Sequence, residues 1–193
     1  MKKLSRLAVL VMALGLIALG CEKAQNPMEA PLSDQSGVSS LAKANPSSDN
    51  RNFVAHCKGD EEVPPRDTNA QGQAIFHLNK DETAINYKLI VANIENVIAA
   101  HIHVAPTGVN GPVVAFLFGS VAPGGGRTDG VLAQGTITAA NLVGPLAGQP
   151  LSDLISAMRA GNTYVNVHTN DGVAPANTGP GDFPGGEVRG QIH

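Results

Sequence analysis

The chain has 193 residues, of which 42% are hydrophobic, 15% charged and 4% aromatic, with 22 Gly, 13 Pro, 2 Cys and no Trp. That length suits one domain with appendages, two cysteines exclude a disulfide-rich scaffold, and the Gly and Pro content speaks against a helical bundle. A net charge of −3 offers no basic surface for nucleic acid.

Residues 1–20 read as a secretory signal. Lys2, Lys3 and Arg6 make a positive start, and Leu7 to Leu19 is an unbroken apolar or small run of 13 residues. That is short of the roughly 20 a bilayer span takes and the right size for the apolar region of a signal peptide. Ala18-Leu19-Gly20-Cys21 resembles a bacterial lipobox, with Cys21 as the lipidated residue. Ordinary cleavage after small residues is the alternative and would release a secreted protein. Removing residues 1–20 takes away three cations and no acid, which leaves ten basic against sixteen acidic residues, a net of −6. Such a surface does not attract anionic lipid, so the acyl chains would do the anchoring. The expected location is the cell envelope, lipid-anchored and facing the periplasm or the surface. Residues 21–50 carry the lipidated Cys21 and continue, rich in Ser, Ala, Pro, Asn and Gln without sustained periodicity, as a flexible tether.

Residues 51–193 read as strands. Phe53–Cys57, Gln73–Leu78, Thr83–Ile94, Val97–Val104, Val113–Phe118, Val131–Thr138, Thr163–Thr169 and Glu187–Ile192 are β-rich runs separated by Gly, Pro and Asn clusters. The pattern predicts an all-β fold, an antiparallel sandwich or barrel of about eight strands. Asn110-Gly111 is a hairpin signal, since both residues tolerate positive φ. Leu151, Leu154, Ile155 and Met158 recur at helical spacing and predict one short helix over residues 152–160, with Ser152 as N-cap and Gly161 as the stop.

Alternation assigns the faces. Residues two apart on a strand share a side, so Ile98, Ala100, Ile102 and Val104 form an apolar row and His101 and His103 point away from it. Val165 and Val167 oppose Tyr164, Asn166 and His168 in the same way, and Val188, Gly190 and Ile192 oppose Glu187, Arg189, Gln191 and His193. These polar rows are either solvated surface or a site built on the outside of the sheet. Glu187 and Arg189, two apart, read first as members of a salt-bridge network. Glu61 and Glu62 read as solvated loop acids, His56 and His77 as structural, and Cys57 as a buried inert thiol.

Several motifs together resemble a known module. Ala99-Ala100-His101-Ile102-His103 is followed by Gly108-Val109-Asn110-Gly111-Pro112-Val113-Val114, and Tyr164-Val165-Asn166-Val167-His168-Thr169 by Pro184-Gly185-Gly186-Glu187-Val188-Arg189-Gly190-Gln191-Ile192. With Glu61-Glu62-Val63-Pro64-Pro65 and Asn86-Tyr87-Lys88-Leu89, these runs are similar to the CHRD domain, first noted in chordin, over about residues 52–193. The resemblance implies an extracytoplasmic all-β module without a settled activity.

The histidines are the strongest chemical signal. His101 and His103 present two imidazoles on one side of a strand, and neutral imidazole suits Cu²⁺ or Zn²⁺. His168 is the natural third ligand if its strand is a neighbour, with Glu187 or His193 as candidates for a fourth and Asn166 and Arg189 as supporting residues. Three protein ligands with one open position is the pattern of an exchangeable or catalytic site rather than a closed structural one. The opposing reading has the imidazoles bracing loops through hydrogen bonds. No phosphate loop and no nucleophile elbow is present. The expected function is therefore non-catalytic binding by a membrane-anchored module that takes a transition metal, its ligand an unidentified protein or small molecule. The alternative is a copper- or zinc-type oxidoreductase or hydrolase at the open three-His site.

Overall fold

The computed structural model describes residues 50–193. The signal, Cys21 and nearly all of the tether lie outside the described residues. The described chain runs β1 (Asn52–Lys58), β2 (Gln71–Leu78), β3 (Ile85–Glu95), β4 (Val97–Val104), β5 (Val113–Gly119), β6 (Arg127–Ile137), α1 (Leu151–Arg159), β7 (Thr163–Thr169) and β8 (Val188–Gln191). All eight strands belong to one antiparallel sheet in the order β5-β4-β7-β8-β1-β2-β3-β6. The sheet curls into a nearly closed barrel: β5 and β6 are its two edges, and the Tyr87 hydroxyl of β3 donates to the Leu117 carbonyl of β5 at 2.8 Å. Among the described residues the fold is the expected all-β one, with a single α-helix.

The period-two rows build the core. Phe53, Ala55 and Cys57 of β1, Ala74, Phe76 and Leu78 of β2, Ala100 and Ile102 of β4, and Val165 and Val167 of β7 are all buried in one cluster. The helix adds Leu151, Leu154, Ile155 and Met158 to that cluster. It starts one residue earlier than the spacing predicts: Pro150, not Ser152, is the N-cap, and no side chain caps it. Proline there costs nothing, since its missing N–H would have no helical partner. Gly161 follows the C-cap at φ 67° and stops the helix as expected.

Sheet order makes strands distant in sequence into neighbours. β4 pairs with β7 in register, opposing Ala99 to His168, His101 to Asn166 and His103 to Tyr164. β7 pairs with β8, opposing Tyr164 to Gln191 and Asn166 to Arg189. On the other flank of β4, register shifts fall beside His101 and beside His103 in the pairing with β5. Such irregularities re-aim side chains locally.

The β4–β5 hairpin forms where expected but by another turn. Gly108 takes positive φ (76°) and the Val109 N–H bonds back to the Pro106 carbonyl. Asn110 and Gly111 are not in positive φ; they are used by the site below.

Candidate metal centre

The polar rows of β4, β7 and β8 do face away from the core, but they are not an open surface. Loops fold over them, leaving His103 7%, Asn166 3%, Tyr164 2% and Arg189 2% exposed. His101 and His168 are partly exposed. Burial beneath loops means every polar group on this face needs a partner or a ligand.

Within that enclosure His101, His103 and His168 converge: one ring nitrogen from each lies within 4.8 Å of the other two. The His101 Nδ1 to His168 Nε2 distance is 3.1 Å. Two nitrogens on one tetrahedral ion sit about 3.3 Å apart when metal–nitrogen bonds are about 2.0–2.1 Å. One pair is therefore already spaced for a shared ion, and closing the remaining gap takes a ring movement of about 1–1.5 Å on the same scale.

Hydrogen bonding sets the tautomers. His103 Nδ1 is 2.8 Å from the Gly111 carbonyl and His168 Nδ1 is 2.8 Å from the Pro184 carbonyl. A carbonyl only accepts, so both Nδ1 atoms carry the proton, and both Nε2 atoms present lone pairs. His101 then donates from its Nδ1 to His168 Nε2, and an ion shared by that pair would take the place of this proton, with His101 carrying its proton on Nε2 instead. The Nε2 atoms of His101 and His103 are buried without a hydrogen-bond partner. Metal-binding histidines commonly hold the distal N–H against a backbone carbonyl in this way, which orients the ring.

The rings are kept neutral. Burial, then the neighbouring His168 and His103, push His101 down from 6.5 to about 4. His103 is lowered by burial, against the opposing pull of the Gly111 carbonyl and Asn166, with Arg189 lowering it further. His168 is lowered by burial, with the Pro184 carbonyl opposing and His103 adding to the shift. Neutral imidazole is the ligand form.

Tyr164 and Arg189 hold the enclosure together. The Tyr164 ring stacks on His103 at 4.7 Å and 9°, and the Arg189 guanidinium lies 3.5 Å from the centre of the same ring. Arg189 donates to the Asn110 side-chain oxygen at 3.1 Å and to the Val109 carbonyl at 2.9 Å, so it ties the β4–β5 loop to β8. Gly111 donates its N–H to the Tyr164 hydroxyl and gives its carbonyl to His103. A Cβ on Gly111 would collide with the Val104 carbonyl, so the loop reaches His103 only because this residue has no side chain. The Asn166 carboxamide lies near enough to His103 to favour its charged form without reaching hydrogen-bond geometry, and its Oδ1 is buried and unpaired.

The other candidate residues are placed elsewhere. The Glu187 carboxylate is fully buried and accepts from Thr68 Oγ1 (2.6 Å), Thr169 Oγ1 (2.6 Å) and the Gly181 N–H (2.9 Å). It is a loop brace and does not join the imidazole group. His193 is exposed, its backbone paired with Val54 of β1. Glu187 and Arg189 make no ion pair with each other; Arg127 pairs with Asp129 and Arg159 with Glu82. Cys57 is buried, its thiol pushed up to about 12 by burial first and then by Glu62.

Glu62 departs from its expected place in a solvated loop. It is 4% exposed, lies against Gly186 near Asn166, and has one buried carboxyl oxygen without a partner. Burial lifts it to about 7, against the lowering pull of Arg189, the Val63 backbone and Arg66. No local pattern distinguishes it from Glu61. Gly186, far along the chain, packs against it.

Comparison with known families gives one finding. A family model described as the CHRD domain matches residues 53–192. No match was found among curated proteins or among solved structures.

Proposed function

The chain belongs to the CHRD-domain family, and from that premise we propose that it is an envelope-anchored β module with a binding role that takes one Cu²⁺ or Zn²⁺ ion on His101, His103 and His168. The observation that carries this reading is the convergence of three neutral imidazoles from two neighbouring strands, two of them oriented by carbonyls on their distal nitrogens. A loop-bracing role alone accounts for those two Nδ1 bonds, but it leaves the Nε2 lone pair of His103 buried and without a partner.

Calorimetric titration tests it. The purified protein should bind Cu²⁺ or Zn²⁺ at one equivalent, and His101→Ala should weaken binding by about tenfold or more, the loss of one of three ligands. No heat above dilution with either ion would remove the metal from the account. Three protein nitrogens leave a fourth position open, which favours metal-dependent oxidoreductase or hydrolase activity as a second reading. Turnover of superoxide or an activated ester by the loaded protein, lost in His168→Ala, would favour it; bound metal without turnover favours the binding role. Anchoring through lipid on Cys21 rests on Ala18-Leu19-Gly20-Cys21, and the partner, a protein or small ligand, would meet the module outside the membrane.

A further inference from the structure

The charge inventory around the three imidazoles is one-sided. Among the described residues, no carboxylate and no thiol joins the group formed by His101, His103 and His168. The three buried acids of these loops are held elsewhere, Asp182 by the Thr178 N–H and hydroxyl. Glu187 has its oxygens filled by Thr68, Thr169 and Gly181, and Glu62 lies against Gly186, within electrostatic reach of Arg189 and Arg66. The fixed charge closest to the site through named contacts is positive: Arg189 is 2% exposed and lies on the Tyr164 ring that stacks on His103. A divalent ion on three neutral nitrogens would carry its full charge into a partly desolvated place, where an uncompensated charge is costly. One side of the site is reachable. His101 is partly exposed and meets Phe116 edge-on at 4.6 Å, and Phe116 is itself 48% exposed.

We propose, resting on the metal reading above, that the loaded site takes its fourth ligand from solution as a small monodentate anion, hydroxide or a pseudohalide, admitted past His101 and Phe116. Binding is an exchange of coordinated water for the anion, with no redox change, and it leaves one net positive charge at the ion where there were two. The site is then an anion-responsive metal centre, because the protein supplies every neutral donor and no negative one.

The test uses the whole protein loaded with one equivalent of Cu²⁺, freed of unbound ion, with its copper content measured. Sodium azide is titrated in while the azide-to-copper charge-transfer band and the copper paramagnetic resonance spectrum are followed. The expected result is a saturable one-to-one change absent from the metal-free protein. Azide affinity should weaken as pH rises, because hydroxide competes for the same position. Asn166→Asp, which sets a carboxylate beside His103, should weaken azide by about tenfold or more by supplying the counter-charge internally. If that variant does not fold, the wild-type titration decides. Stoichiometric copper whose spectra azide does not move would overturn this proposal and leave the metal site standing. A protein that retains neither copper nor zinc would overturn both.

Discussion

Each imidazole at the site is a neutral base in the folded chain and an ordinary histidine in the unfolded one, and that difference has a sign. As pH falls through about 6.5 the unfolded chain takes up protons that folded His101 refuses until about 4, and His103 and His168 shift in the same direction. Stability contributed at these positions is therefore complete above about pH 6.5 and is lost as pH drops toward 4. Glu62 acts in the opposite sense. Its folded value near 7 lies above the ordinary 4.5, so its contribution is present below 4.5 and is lost as pH rises through 7. Glu62→Gln should raise the stability by on the order of 1 kcal/mol at pH 8 and leave it nearly unchanged at pH 5, read from urea melts at both pH values; an equal gain at both would show that ionisation is not the cause. Gly111→Ala tests the loop. The new Cβ would collide with the Val104 carbonyl and pull the acceptor from His103, so it should cost about 1–3 kcal/mol and weaken metal binding together. Neither residue announced its role in the sequence. Gly111 was legible as half of a turn signal, yet the positive φ belongs to Gly108, because the chain turns early and spends Asn110 and Gly111 on contacts.

The strands were the readable elements, because alternation is a local property. Val97–Val104 and Thr163–Thr169 have the boundaries that the apolar and polar rows predict, and the outward direction of His101, His103 and His168 follows from the same parity. The helical stripe of Leu151, Leu154, Ile155 and Met158 was equally legible, and Leu154 is fully buried. Leu154→Ala should cost about 2–5 kcal/mol, and a loss below 1 kcal/mol in chemical denaturation would mean the helix is dispensable to the core. The barrel seam was not legible. The bond from Tyr87 to Leu117 joins β3 to β5, residues separated by 30 positions, and no local pattern records it. Tyr87→Phe should cost about 0.5–1.5 kcal/mol, the usual worth of one such bond, and should speed hydrogen exchange in β5 and β6 more than in β1 and β2. Uniform acceleration would assign the loss to the core instead.

At the scale of the molecule, the site exists because the sheet order sets β4 beside β7 and β7 beside β8. Residues 101 and 168 stand far apart in the chain and oppose the same short stretch of sheet. That adjacency cannot be derived from spacing, and neither can the cover of loops that turns a polar row into an enclosure. Binding to the folded state alone adds stability by mass action, about 2.7 kcal/mol at a hundredfold excess over Kd. The melting temperature should therefore rise with Cu²⁺ or Zn²⁺, and His168→Ala should abolish the rise. At the other end of the chain, Cys21→Ser should move the protein from the membrane to the soluble fraction of the envelope; unchanged membrane association would exclude a lipid on that residue. The most direct measurement is X-ray absorption on the protein loaded with one equivalent of Cu²⁺ or Zn²⁺. Scattering from three imidazoles around the ion, falling to two in His103→Ala, is the predicted result. One imidazole or none, unchanged in the variant, would contradict a shared ion on these strands.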